Sequence, residues 1–583
     1  MIFKGKYKDI IFIFLVFSSL YYFIRIYQNY KFSEFLVRMS VDYQIGQRLM
    51  VAPEGYVMTG KFRELLEKYH VGNIKIYGHN FQDKKQLYDL IRNCQNTALA
   101  DRKNIPLLVA TDQEGGWIAH LRKGFTIPPS NQAIGRTGKR HYAYLAAKLI
   151  ATELKTVGIN VNFAPVVDLA LNRKNWVIGP RSFGQDPDLV VELASESIKA
   201  HLKQDVLPVI KHYPSLGRNE ADPHVSFLTN KKDFRTLLQE DLKPFNELLK
   251  GYENGLMIGN VSVPSLVKHM ETVDKNNYWM WYYVPAVFSP IIIQHYLIKM
   301  NHYYGLIFSD EMNIPPVKKM MSIEMAVYRS MKSGVDIVLV SEPPEKIVEI
   351  IQYLKRQYLA DPQFRNQTIG SVKKILKYKS ILFRKRNKVR YFSSKNYDIP
   401  LFKKYYSKLD FIDNARFKEL NYLLSLNTTD LYRNADNLVP LKSRPDMMKK
   451  NFILITSKDS LYQECRKYIK TKLTFIRMEP YFSDDINETE KDRILSQIDP
   501  GSVVIMTVLS RKYKELVRAV SRKNRNLIII NLLHKHNIED MKEIRTILCT
   551  YSDNTVQARA AVDYLFNKPD VRDDRIKREY REF

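Results

Sequence analysis

GLIFSDEM, residues 305–312, is apolar at every position from Leu306 to Phe308 and turns polar at Ser309, Asp310 and Glu311. A strand with one wet face would alternate, whereas an unbroken apolar run is the pattern of a parallel strand buried on both faces. Working outward, runs of similar character stand at 48–53, 73–78, 106–112, 161–168, 207–213, 256–264 and 336–342, rich in Val, Ile and Leu. Between them lie stretches with apolar residues at helical spacing, such as 186–204 and 233–250. Eight such strand–helix units predict an α/β chain built on a (β/α)8, TIM-type barrel. Polar residues cluster where the predicted strands end: Asp112, Asp168, His212, Asn260, Asp310 and Glu342. In such barrels the C-terminal strand ends build the site, so these residues are the first candidates for chemistry.

The rest of the chain divides around that barrel. Residues 1–30 read as an N-terminal hydrophobic signal anchor, because Ile10 to Ile24 is apolar except for Ser18 and Ser19 and follows Lys4, Lys6 and Lys8. No small-residue cleavage site follows, so the expectation is an uncleaved anchor in the cytoplasmic membrane with the body extracytoplasmic. Cleavage would instead give a secreted form. The barrel is expected over 31–385, and a basic linker over 386–445 after a stretch with thirteen Lys or Arg between Lys373 and Lys408. Residues 446–583 resume a strand–helix rhythm at 451–456, 502–509 and 526–533, which predicts a smaller α/β sandwich domain. The tail after Lys568 reads as charged and frayed.

Composition excludes several classes. Of the 583 residues 45% are hydrophobic and 26% charged, which removes disordered and fibrous classes. Three cysteines (Cys94, Cys465, Cys549) exclude a disulfide scaffold. The twelve histidines show no pairing at metal-ligand spacing, and no phosphate-binding glycine loop follows a strand, so neither metal nor cofactor is expected. The net charge of +29 is scattered through every segment, and is read as solvated faces rather than a specific nucleic-acid surface.

Six blocks in fixed order carry a resemblance: TDQEGGWIAHLRKGF (111–125), NFAPVVD (162–168), GPRSFGQDP (179–187), KHYPSLG (211–217), DPH (222–224) and SDEM (309–312). They resemble the signature of glycoside hydrolase family 3, and within it the β-N-acetylglucosaminidase branch that trims peptidoglycan. NADNLVPL (434–441) is similar to the entry of that family's second domain. The resemblance spans about residues 40 to 567.

The chemistry has its own requirements. Retaining glycoside hydrolysis needs a carboxylate to attack the anomeric carbon and an acid to protonate the leaving oxygen. Asp310, at the end of the seventh strand, fits the nucleophile; its plain alternative is capping the next helix. The resemblance implies that His224, partnered by Asp222, is the acid/base, and that Asp112, Arg181, Lys211 and His212 hold the sugar hydroxyls of a carbohydrate substrate. Asp168 is expected to be structural, and Glu114 to satisfy backbone donors of its Gly-Gly turn. The chain also departs from the pattern. KHFPGHG becomes KHYPSLG, with Ser215 for Gly and Leu216 for His; DSH becomes DPH, with Pro223; and a histidine of the sixth strand becomes Asn260. The reading is thus a retaining exo-β-N-acetylglucosaminidase acting on peptidoglycan fragments. The alternatives are a catalytically degenerate barrel that binds wall glycans, or a related β-glycoside phosphorylase or β-glucosidase.

Overall fold

The computed structural model describes residues 36, 39–100, 105–219, 227–251, 254–270, 282–383, 409–478, 486–509, 513–532, 540–552, 554–567 and 573–582. The expected anchor, 1–30, lies outside them. Among the described residues no helix is long and apolar enough to cross a membrane.

Eight parallel strands close into a barrel: β1 (Leu49–Val51), β2 (Asn73–Lys75), β3 (Leu108–Thr111), β4 (Val161–Asn162), β5 (Leu207–Tyr213), β6 (Gly255–Ile258), β7 (Ile307–Glu311) and β8 (Ile337–Leu339). Each pairs with the next in sequence, and β8 returns to β1 with Leu49 opposite Val338. Alternate residues divide between two cores. Met50, Leu108, Ala110, Val161, Phe163, Val209, Met257 and Phe308 fill the barrel interior. Their neighbours Leu49, Ile74, Val109, Ile210, Ile307 and Val338 face the surrounding helices. Both faces of each strand are therefore dry, which is why the runs are continuous in sequence.

The floor of the barrel is closed by the helix Pro362–Leu382, whose Ile375 and Tyr378 join the interior core. Two fully buried basic side chains fasten it. Arg48 donates to the Thr368 hydroxyl at 2.8 Å and to the carbonyls of Asp336, Met331 and Val335 at 3.3, 3.2 and 2.6 Å. Lys379 donates to Gln47 Oε1 at 2.7 Å and Gly72 O at 2.8 Å, and burial holds its pKa well below the lysine range.

A second sheet of six strands follows: β9 (Asp430–Asn434), β10 (Phe452–Thr456), β11 (Leu473–Arg477), β12 (Val503–Val508), β13 (Leu527–Asn531) and β14 (Thr546–Cys549). Its order is β9-β14-β13-β12-β10-β11, with β9 antiparallel at one edge and the rest parallel.

Two expectations are corrected. The segment assigned to a linker, 386–445, holds the helix Ala415–Thr428 and strand β9 in its described part. That helix buries Phe417, Leu420 and Leu424 in the core outside the barrel strands, so the segment joins the two units instead of spacing them. The charged tail, expected to fray, forms the helix Asp573–Glu582 against the barrel helix Arg140–Thr156. Asp573 accepts from Lys139, His141 and Tyr142 at 3.1, 3.1 and 2.8 Å, and Ile576 is wholly buried.

The units meet at the barrel's 126–133 segment. Ile127 O accepts from Asn421 at 3.1 Å and Asn554 at 3.3 Å, and Ala133 belongs to the second domain's core. Beside it the buried Glu153 accepts from the amide and hydroxyl of Thr126 at 2.8 and 2.7 Å, and from the amide of Asp413 at 2.7 Å.

Candidate active site

Strands β3 to β5 deliver a buried cluster of charges to the C-terminal mouth of the barrel. Asp112 follows β3 directly, and its two carboxylate oxygens take two ammonium groups: Lys211 at 2.5 Å and Lys75 at 2.9 Å. His120 Nε2 stands 3.5 Å from the same carboxylate. Burial alone would raise the Asp112 carboxyl, but Lys211 and Lys75 outweigh it and hold the group well below the usual carboxylate range. Asp112 is therefore a fixed anion, suited to accept from sugar hydroxyls.

Glu114 corrects an expectation. Instead of serving its glycine turn, it receives the Arg181 guanidinium through two bonds of 2.9 and 2.8 Å, and Lys211 at 2.7 Å. Burial of Glu114 is again overridden by Arg181 and Lys211, so its carboxyl is lowered. Lys211 thus bridges two carboxylates, and Arg181 is aimed by a planar, two-point contact. Removing one partner from such a buried pair typically costs about 3–5 kcal/mol, so each member supports the placement of the rest.

His212 completes this wall. Its Nδ1 lies 2.7 Å from Asp168 Oδ2, which makes Nδ1 the protonated nitrogen and leaves Nε2 as the acceptor facing Arg181 at 3.3 Å. Asp168, wholly buried, also accepts from the backbone amides of His212 at 3.0 Å and Leu216 at 2.8 Å. It positions the strand end and the imidazole.

Asp310 and Glu311 are adjacent carboxylates at the end of β7, and their partners separate them. Glu311 is saturated: its oxygens accept from the amides of Asn313 at 2.8 Å and Ser341 at 3.0 Å, and from the hydroxyls of Ser341 at 2.6 Å and Tyr77 at 2.7 Å. Asp310 is part-exposed and accepts from the Glu311 amide at 2.8 Å. Of the pair, Asp310 is the one that keeps a carboxylate oxygen without a hydrogen-bond partner among the described residues.

The structure brings together Asp112, Arg181, Lys211 and His212, and places Asp310 at the same end of the barrel. Asp222, Pro223 and His224 fall within 220–226, outside the described residues. Of the departures, Ser215 adopts φ 96°, a left-handed backbone that favours glycine. Leu216 is buried and its carbonyl accepts from Asn175 at 2.8 Å. Asn260 is buried, and its Oδ1 has no partner among the described residues.

Sequence reasoning missed Lys75. Its ammonium, besides meeting Asp112, sits 4.3 Å from the Tyr77 ring centre and 5.4 Å from that of Phe163. Burial would lower the group, but Asp112 together with Tyr77 and Glu311 raises it above the ordinary lysine value. Lys75 and Tyr77 therefore span the mouth from Asp112 on one side to Glu311 on the other. The signal was positional: in NIKIYG, Ile74 and Ile76 face the helices, so Lys75 has to face the interior. Among the described residues no group of side chains is placed to hold a metal ion.

Known proteins share this chain's sequence pattern and its fold. Residues 40–375 match the model of the glycosyl hydrolase family 3 N-terminal domain. A β-hexosaminidase A of Pseudoalteromonas piscicida is 31% identical over 345 residues, covering 56% of this chain and 57% of that protein, so the chain spans little more than half of that relative. A β-hexosaminidase of Nitrosomonas eutropha is 28% identical over 318 residues, 54% of this chain and 85% of that protein. In fold, the chain is similar to a family 3 β-N-acetylglucosaminidase from Paenibacillus sp. str. FPU-7, with a TM-score of 0.77 and 21% identity over 91% of this chain and 98% of the other. The family match covers more than half of the sequence and takes in every described residue of the barrel mouth, and on that ground the chain belongs to glycosyl hydrolase family 3.

Proposed function

We propose that the protein is a retaining exo-β-N-acetylglucosaminidase that removes terminal N-acetylglucosamine from peptidoglycan fragments. The observation that carries this reading is the contrast at the barrel mouth. One carboxylate, Asp310, keeps an oxygen available, while the carboxylates of Asp112, Glu114 and Asp168 are held by buried cations or by His212. A fixed anion and fixed donors suit sugar hydroxyls, and an available carboxylate suits covalent attack.

In the proposed reaction the sugar's hydroxyls meet Asp112, Lys211, Arg181 and His212. Asp310 attacks the anomeric carbon as the glycosidic C–O bond breaks, and His224 gives its proton to the leaving oxygen. A glycosyl–aspartate results. His224, now a base partnered by Asp222, takes a proton from water, whose oxygen displaces Asp310 and restores the carboxylate.

The test is hydrolysis of an aryl N-acetyl-β-glucosaminide beside the corresponding glucoside, by wild type and Asp310→Asn. Wild type should prefer the N-acetylated substrate, and Asp310→Asn should lose at least about a thousandfold in kcat, or about 4 kcal/mol, with an unchanged melting temperature. Retention of more than a tenth of the activity by the variant removes Asp310 from the nucleophile's role. Cleavage of neither substrate by wild type favours the glycan-binding barrel.

A further inference from the structure

Two tryptophans at the barrel mouth have no part in the chemistry above. Trp117 stands at the tip of the short hairpin that pairs Gln113–Gly115 with Ile118–Ala119, and Trp176 in the loop between β4 and Arg181. Their rings lie 5.7 Å apart between centroids and are tilted by 45°. Trp176 is 52% exposed and Trp117 half-buried. A half-bare indole is costly to keep in water, and two in contact form an apolar face of the kind that marks a binding surface.

The backbone that carries each indole is tied to its neighbours. In the Trp117 hairpin the Gly116 amide donates to Pro128 O at 2.8 Å, and a Cβ at Gly116 would meet Ser130 Cβ at 2.4 Å, so the turn is seated against its neighbour. The Trp176 loop is tied to the end of the KHYPSLG segment. Asn172 donates through its amide to Gly217 O at 3.1 Å and through its side chain to Arg218 O at 2.9 Å, while the Asn175 side chain donates to Leu216 O at 2.8 Å. Both rings stand on turns whose backbone is already held, so binding has little backbone left to order.

Their place in the chain fixes their distance from the site. Trp117 is five residues after Asp112 and Trp176 five before Arg181, so the Cα of each lies at most about 18 Å from that of a residue proposed to meet the sugar. The hairpin folds back as well, with the His120 amide on Asp112 O at 3.3 Å. The group that such a face recognises beside a carbohydrate site is the C–H face of a second pyranose ring, which stacks on aromatic carbon as bases do in strand-binding proteins.

We infer that Trp117 and Trp176 form a stacking platform for the sugar ring that neighbours the one held by Asp112, Lys211, Arg181 and His212. This rests on the N-acetylglucosaminidase reading and deepens it, since it makes a chain of at least two rings the preferred ligand. The platform adds no bond-making step; its contribution is affinity for the second ring.

The experiment measures binding of N-acetylglucosamine and of its β-1,4-linked dimer to the full chain carrying Asp310→Asn, by calorimetry and tryptophan fluorescence. The dimer should bind at least tenfold more tightly than the monosaccharide, with a change in tryptophan emission. Adding Trp176→Ala should erase that gain and leave monosaccharide binding within twofold, while Trp176→Tyr should keep part of it. Unchanged monosaccharide binding shows that the Ala variant is folded. A dimer gain that survives Trp176→Ala, or no dimer gain in its parent, overturns the platform alone. Absence of binding for both saccharides overturns the substrate reading and the platform with it.

Discussion

At the scale of single residues, Lys75 and Ser215 mark where this chain departs from a plain barrel strand end. Lys75→Met would leave Asp112 with Lys211 and His120. With one ammonium gone, the Asp112 carboxyl rises toward the ordinary range and is neutralised at higher pH than in wild type. The expected result is a loss of roughly a hundredfold in kcat/KM, about 2.7 kcal/mol, carried mainly by KM, with the acid limb of the pH profile moved upward. An unmoved acid limb would separate Lys75 from Asp112. Ser215 is a different case, because its φ of 96° costs a side chain about 1–2 kcal/mol that glycine avoids. Ser215→Gly gives back part of this through a freer unfolded chain. The net expectation is about 0.5–1 kcal/mol more stability, seen as a higher urea midpoint at constant slope; a lower midpoint would mean that the Ser215 hydroxyl outweighs the backbone. Legibility at this scale followed chemistry. Asp112, His212 and Asp310 stood out because polar residues closed apolar runs, and Arg181 and Lys211 because their blocks resemble the family's, whereas Lys75 resembled one more lysine in a lysine-rich chain. Glu114 was misread because a Gly-Gly neighbour suggests a turn, and nothing local shows that Arg181 returns to it across 67 residues.

Among the elements, the barrel strands were legible for the reason they are stable: two dry faces make contiguous apolar words such as LPVIKHY. The edges of the second sheet were not. Strand β11, LTFIR, has a buried residue only at Leu473 and Ile476, and β9, DLYRN, is half-exposed at every position. Their pairing is supplied by neighbours far along the chain, so no local pattern announces it. The helix Arg140–Thr156 supplies a prediction of its own. Burial raises the Glu153 carboxyl from 4.5 to about 7, against the hydrogen bonds from Thr126 and Asp413 that favour the ionised form. The folded protein then holds this proton more tightly than the unfolded chain, so the stabilisation is complete below pH 4.5 and is lost as pH rises through about 7. The span is worth about 3 kcal/mol. Melting curves of wild type and Glu153→Gln should therefore converge at acid pH and separate towards neutrality, the variant being the flatter. Parallel curves across the window would mean that Glu153 is already ionised when folded.

For the whole molecule, sequence order concealed how the ends are used. Deleting 573–582 would bare the barrel helix at Tyr142 and Tyr144, which now meet Asp573 and the Tyr580 ring. The expectation is a melting temperature lower by a few degrees with the barrel still folded, and an unchanged melt would show that the helix merely rests there. The barrel floor has a further consequence. Arg48 meets Thr368 across 320 positions, and Lys379 meets Gln47 across 332, so the first strand is sealed by almost the last helix of the barrel. During synthesis all eight strands leave the ribosome before the residues that fasten them. A nascent chain halted near residue 345 would hold its whole strand set with Arg48 short of its Thr368 acceptor and the interior core short of Ile375 and Tyr378. The floor is thus the last part of the barrel that synthesis supplies, and until it is made the ring of strands has only its own pairing, Leu49 opposite Val338, to hold it closed.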